Sequence, residues 1–572
     1  MTEASPSDPL IAVVGMSCRL PRAPSPEGFW GLLESEQHAV GEIPGERWEL
    51  AGRQRRRFGD ADPGARFGAF LDRVDRFDPT FFGISPREAA AMDPQQRLVL
   101  ELGWEALEDA GVVPSSISGQ QAGVFLGAIA SDYSHLSDRL GAGLIGRHTV
   151  TGLNRSIIAN RVSYALGLTG PSMTVDAAQS SSLVAVHLAC ESLHRGEADF
   201  ALAGGVHLNI DPQGAVGAAR FGGLSPDGRC FTFDARANGY VRGEGGGVVV
   251  LKPFAAARAD GDRIYCVIRG SAVNNDGPSD GLTVPSQSAQ ESVVRRAYAR
   301  SGVKRSEVQY VELHGSGTVV GDPIEAAALG SVLGSKRTKD DPLPVGSAKT
   351  NVGHLEGAAG IAGLIKAILA IDRRLIPASL NFSEPNPKIP LEDFCLRVQD
   401  SLGAWPDDER PLVAGVSSFG MGGTNCHLVV AEAPGQERVD GGASRLGVRP
   451  RQAPIPLALS AKTEPALKEA ASRLVTHLKD NPDQELKDVA YSLTTTRATF
   501  NERAVALGSE RGELVDALSA LAEGKESPNL TRGKASSDRA PVFLFPGQGA
   551  QWTQMAMELV DGSELFATHI EE

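Results

Sequence analysis

The stretch VDAAQSSSLVAVHLA (175–189) decides how the chain is read. An apolar strand ends here, small residues form a tight corner, and an apolar helix follows. Backbone N–H groups at a helix start are unsatisfied and favour negative charge, so the tip of such a corner suits a reactive side chain. At the tip stands Gln179. An amide donates and accepts hydrogen bonds, but at neutral pH it is neither nucleophile nor acid nor base. Ser180, Ser181 and Ser182 follow without the GxSxG frame of a hydrolase elbow, and serines in a first turn are ordinarily caps.

Working outward, strand MTV (173–175), a helix from about 180 to 194, a stop at Gly196 and strand DFALAGGV (199–206) form a β-α-β unit. LIAVVG (10–15) reads as a short buried strand ended by glycine, 92–111 as a helix stopping at Gly111, and GVFLGAI (123–129) as a strand. The second half continues with strand YCVIRGSAV (265–273), helix ESVVRRAYARSG (291–302) and strand VQYVELHGSGT (308–318), which ends in a polar turn. An apolar helix (355–370), a Gly-rich loop VAGVSSFGMGG (413–423) and strand HLVVAEAP (427–434) complete the region. Residues 435–452 are rich in Gly and Arg and read as a connection. A small α/β stretch follows to about 535, with helices at 464–480 and 512–524. PVFLFPGQGAQ (541–551) then opens a new strand and turn, and the chain stops soon after, as at the cut edge of a further domain.

At 572 residues the chain needs more than one core. A net charge of −14 argues against a general nucleic-acid binder. No long apolar run predicts a membrane span, and MTEASPSD lacks a signal-peptide pattern, so a cytoplasmic protein is expected. The six cysteines form no CxxC pair and read as reduced thiols, with no metal site. The 65 glycines beside only 6% aromatics suit close-packed α/β layers. The basic run RQRRR (53–57) reads as a solvated loop, with docking of an acidic carrier protein as the lesser alternative.

Polar side chains gather in further turns. HGSGTVVGDPIE (314–325) places His314 at a strand end, with hydroxyls on Ser316 and Thr318. SAKTNVGHLEG (347–357) carries Lys349, His354 and Glu356. SSFGMGGTN (417–425), with Phe419, Gly420, Met421 and Gly422, has glycines that suit a loop close to a substrate and equally suit plain turn chemistry. Two histidines and a lysine in turns after strands supply donors along one sheet edge. Cys426 and His427 are adjacent on a strand, point to opposite faces and make no catalytic pair.

In order and spacing, IAVVGMSCRLP, GISPREAAAMDPQQRLVLELGWEALEDAG, VDAAQSSSLVAVHLA, HGSGTVVGDPIE, KTNVGHLEGAAG and SSFGMGGTN resemble a β-ketoacyl synthase domain of a modular type I polyketide synthase. The resemblance implies a thiolase-like fold of two related five-layered α/β halves over 9–434, after a short tail at 1–8. It further implies a ketosynthase–acyltransferase linker subdomain over 435–540 and a truncated acyltransferase start at 541–572. The family carries Cys where Gln179 stands, and more often Thr where Ser316 stands. Without a thiol no acyl-enzyme forms. Gln-bearing domains of this family occur in loading modules, where they decarboxylate malonyl-type units on the acyl carrier protein, and the early first strand fits a module with nothing upstream. The resemblance thus implies decarboxylation of malonyl- or methylmalonyl-acyl carrier protein to the acetyl or propionyl starter. Gln179, His314, Lys349 and His354 would be catalytic, with Ser316, Thr318 and residues 419–422 binding substrate and Glu356 in support. Lys349 is expected to orient His354 or Glu356. No cofactor binds directly, since the phosphopantetheine arm arrives on the carrier protein. The expected partners are that carrier, the acyltransferase of the same module and a second copy in a homodimer. The alternatives are a condensing ketosynthase inactivated by Cys-to-Gln replacement and a non-catalytic partner like a chain-length factor.

Overall fold

Runs of Val, Ile, Ala and Leu bounded by glycine form strands buried on both faces. The computed structural model describes residues 9–49, 63–141, 143, 145–435, 454–535, 547–549, 552–562 and 564–571. The tail 1–8, the basic run 53–57, nearly all of the connection 435–452 and most of 541–551 lie outside the described residues. The chain divides into two units, Met1–Gln452 with Glu485–Ala498, and Ala453–Gln484 with Thr499–Glu572.

In the large unit, eleven strands among the described residues join one mixed sheet. The N-terminal half supplies Ile11–Arg19, Ala122–Gly127, Ser172–Val175, Phe200–His207 and Gly245–Pro253. The C-terminal half supplies Cys266–Asn275, Tyr310–Glu312, Leu343–Gly346, Val413–Phe419 and Thr424–Ala431, with Leu396–Val398 added at the edge. Numbered within its own half, each set lies across the sheet in the order 3-2-4-5-1. In each, strands 2, 3 and 4 are mutually parallel and strand 5 is antiparallel to both neighbours. The two first strands meet antiparallel, residues 11–13 against 266–268. The two related halves of a thiolase-like fold are therefore written in the strand order.

Helices Ser181–His194 and Ala359–Arg373 lie between the halves, each packed on strands of both. Helix Pro94–Asp109 covers the N-terminal half from outside, and Gln287–Ser301 covers the C-terminal half. The result is five layers. The small unit is a three-stranded antiparallel sheet of Ile455–Ala461, Glu502–Gly508 and Leu530–Lys534, packed by helices Glu464–Asp480 and Arg511–Glu523. Helix Leu486–Thr495, which interrupts it in sequence, belongs to the large unit.

Two sequence expectations are corrected. The first strand does not end at Gly15; it runs to Arg19, and the glycine sits at a shift in register after Val13. Residues 413–419 are not a loop. Val413–Phe419 is a fully buried strand whose hairpin turn returns into Thr424–Ala431. With both faces covered, the strand has no polar alternation to reveal it.

One close approach sets the position of the central helix. A Cβ on Gly127 would lie 2.4 Å from the Ser182 backbone nitrogen. Gly127→Ala is expected to cost about 1–3 kcal/mol by overpacking, read as a lowered midpoint in urea unfolding of the 572-residue chain.

Candidate active site

The corner at Gln179 is strained. Ala178 holds φ +52°, a left-handed conformation that costs a residue with a Cβ about 1–3 kcal/mol. Its three serines hold it in place. Ser180 Oγ donates to the Ala177 carbonyl at 2.8 Å, and Ser181 Oγ accepts from the Ala177 N–H at 2.8 Å. Ser182 Oγ accepts from the Ile361 N–H at 3.0 Å, capping the other central helix. All three are fully buried and engaged in hydrogen bonds that brace the corner, which suits a structural role and not that of nucleophiles.

Gln179 is tied to the hairpin turn after Val413–Phe419. Ser418 Oγ donates to its backbone carbonyl at 3.0 Å, and the Met421 N–H donates to its side-chain Oε1 at 2.8 Å. The amide oxygen therefore takes a backbone donor.

Two imidazoles meet edge-on at the cavity lining, with ring centroids 5.4 Å apart and planes at 76°. The Phe419 N–H donates to His314 Nδ1 at 3.2 Å. The Glu356 N–H donates to His354 Nδ1 at 3.0 Å. A ring nitrogen that accepts cannot carry the proton, so both rings are held as Nε2–H tautomers. Burial pushes both well below the usual histidine pKa, and the Lys349 ammonium pushes the same way. Both are neutral donors at neutral pH.

Buried carboxylates shape the turns. Glu325 accepts from the N–H groups of His314 and Gly315, both at 2.7 Å. Asp322 accepts from Phe233 N–H at 2.8 Å and Gly317 N–H at 3.0 Å, while burial raises its pKa to about 6. Glu312 accepts from Ala348 N–H at 2.6 Å and so fixes the start of the Lys349 turn. Lys349 is buried, and its charge faces Glu312, Glu325 and Asp322.

Gln179, His314 and His354 line one cavity of about 360 Å³, together with Ser316, Thr318, Phe419, Gly420 and Met421. Ser316 and Thr318 hydroxyls lie 3.2 Å apart. Gly422 is not in the lining; its carbonyl accepts from Asn275 Nδ2 at 3.3 Å. Lys349 and Glu356 stand behind the lining. The partners of the Glu356 carboxylate are Arg242 and His207, in place of the lysine expected to orient it. No cysteine is among the residues lining the cavity, and all six cysteines are buried.

The arrangement has recognised relatives. Residues 9–257 match the β-ketoacyl synthase N-terminal domain and 265–383 the C-terminal domain, while 456–518 match the CurL-like polyketide synthase C-terminal family. The ketosynthase from module 6 of the bacillaene synthase of Bacillus subtilis 168 is 37% identical with a TM-score of 0.81, covering 92% of this chain and 87% of that one. The oxazolomycin ketosynthase domain OzmH KS7 of Streptomyces albus is 34% identical with a TM-score of 0.84, covering 93% and 91%. The chain belongs to the β-ketoacyl synthase family. Within it, this ketosynthase domain is of the modular polyketide synthase type. It is 56% identical to polyketide synthase GfsA of Streptomyces halstedii over 99% of its own length, and 44% identical to erythronolide synthase EryA3 of Saccharopolyspora erythraea over 98%. It spans only 8% and 17% of those two proteins.

The sequence names residues that the structure gathers around one cavity, but not the groups that hold them. Glu325 stood inside a quoted motif with no function assigned. Tyr240, whose ring meets His354 edge-on with centroids 5.1 Å apart, and Arg242 lie in NGYVRGEGGG (238–247), which gave no signal of its own. Among the described residues, no group of three or more His, Cys, Asp or Glu side chains is placed to hold a metal, and no helix is long and apolar enough to cross a membrane.

In an NMR titration, the ring signals of His314 and His354 are expected to stay flat from pH 8 to below 6.5, the unperturbed histidine value. The titratable and charged groups facing His354 are Lys349, Glu356, His207 and Arg242; Lys349 and the His354 ring face His314. Because these pKa values are lowered on folding, the unfolded chain binds protons more readily. This contribution to stability is present above about pH 6.5 and is lost as pH falls below it.

Proposed function

We propose that this ketosynthase-family domain decarboxylates a malonyl-type thioester carried on an acyl carrier protein, producing a polyketide starter unit. The observation that carries the reading is the bond from Met421 N–H to Gln179 Oε1 at 2.8 Å. With that donor taken by the protein's own amide, a thioester carbonyl finds its hydrogen bonds at the Nε2–H groups of His314 and His354. The Cα–carboxylate bond breaks, its electron pair passes into the thioester as an enolate, and CO₂ leaves. The two imidazoles stabilise the enolate oxygen as its charge grows. The α-carbon then takes one proton, giving an acetyl thioester from malonyl or a propionyl thioester from methylmalonyl.

Lys349 supports the reading by adding positive potential behind both rings. The paired hydroxyls of Ser316 and Thr318 suit the departing carboxylate. Claisen condensation is outside this chemistry, because Gln179 forms no acyl-enzyme. The same reading makes the small unit a linker and 541–572 the beginning of an acyltransferase, in a cytoplasmic assembly that needs no directly bound cofactor. Strand Ser172–Val175 lies at the sheet edge with Met173 41% exposed, and it suits pairing with a second copy as a homodimer.

Mass spectrometry of malonyl- and methylmalonyl-loaded carrier protein incubated with the chain tests the activity. Loss of CO₂ is expected, slowed on the order of 10²–10³ by His314→Ala or by His354→Ala. No loss from either carrier would sink the reading. Light scattering is expected to give twice the 60.1 kDa chain mass, and Met173→Arg to return it to one.

A further inference from the structure

His354 is held by a second strand-like segment. Its N–H donates to the Val241 carbonyl at 2.7 Å, and its carbonyl accepts from Gly243 N–H at 2.8 Å. Between these two residues, Arg242 reaches across to Glu356, Nε to Oε1 at 2.6 Å and Nη2 to Oε2 at 3.3 Å. His207 Nε2 lies 3.1 Å from the same Oε2 and 3.1 Å from Asn209 Oδ1, so this nitrogen carries its ring's proton toward both acceptors. Glu356 holds φ +44°, a left-handed backbone that a residue with a Cβ keeps only when its surroundings impose it. That same backbone aims the Glu356 N–H at His354 Nδ1.

Neither Arg242 nor Glu356 lines the cavity, and both are buried. The pair therefore does not hold substrate. A buried ion pair is also a poor source of stability, since burying two charges costs about what their attraction returns. Burial pushes the Glu356 carboxyl up, yet Arg242 and His207 beside it hold it well below the usual range, so the pair stays ionised.

We propose that Arg242 is a positioning residue: by tethering the Glu356 carboxylate it holds the left-handed turn whose N–H occupies His354 Nδ1, and so locks His354 as an Nε2–H donor facing the cavity. His207 completes the tether. The effect on rate rests on the decarboxylase reading; the effect on the tautomer does not.

The test uses the full chain labelled with ¹⁵N-histidine, the His354 signal being assigned by its loss in His354→Gln. The wild type is expected to show one tautomer, with Nε2 protonated. Arg242→Met and the isosteric Glu356→Gln, each shown folded by circular dichroism, are expected to show a mixture of tautomers. Their decarboxylation should slow on the order of 10²-fold, as misplaced donors do. If Arg242→Met is unstable, Glu356→Gln alone decides. A folded variant that keeps the single Nε2–H signature overturns the proposal. A wild type that releases no CO₂ overturns the decarboxylase reading, and the tautomer measurement still decides this one.

Discussion

The structure depends on two largely enclosed helices. Ala359–Arg373 is buried at every position from Ala359 to Ile371, and Ser181–His194 is buried at ten of its 14 positions. A helix enclosed in this way can satisfy its free N–H groups only at its start. Here the two starts solve the problem together, because the Ile361 N–H of one helix donates to Ser182 Oγ of the other. The polar point at the centre of the large unit is therefore the place where two positive helix ends converge. Gln179 precedes the first helix and His354 precedes the second. In this fold, an anion generated inside the unit is best placed there.

The surrounding charges follow from that geometry. Lys366 sits on the second helix, entirely buried, and pairs with Glu312 at 2.9 Å. Glu312 also accepts from Tyr310 at 2.7 Å and from the Ala348 N–H, so the helix and the Lys349 turn share one carboxylate. Glu325 and Asp322 do the same for the His314 turn. Glu325 and Asp322 accept from backbone donors, and Glu312 is shared among Ala348 N–H, Tyr310 and Lys366, which leaves Lys349 as a source of positive potential among them. The outcome is a cavity rich in donors whose two imidazoles carry no charge of their own.

What the sequence revealed was mostly local. The corner, the central helix, the turns of His314 and His354 and both helices of the small unit were legible because each signal falls within a few residues. Val413–Phe419 was hidden because small residues with both faces buried look like a glycine-rich loop. Arg242 and Glu356 lie 114 positions apart, and nothing in either motif announces the other. The tautomers of His314 and His354 were likewise invisible, since each is set by a backbone N–H from a turn whose conformation exists only in the folded chain.

The amide at the corner answers several constraints at once. Met421 N–H donates into the corner and is accepted by Gln179 Oε1 at 2.8 Å. A thiol would leave it free for a thioester carbonyl, and a small apolar residue would leave it to water. A carboxylate would accept it but set a negative charge beside the site where the decarboxylase reading places a second one, among imidazoles that burial keeps neutral. The glutamine side chain accepts through Oε1, stays neutral and still carries two N–H donors. The corner can keep the strained Ala178 geometry of a nucleophile turn while offering only hydrogen bonds. On the decarboxylase reading, electrostatic stabilisation is then what the site supplies.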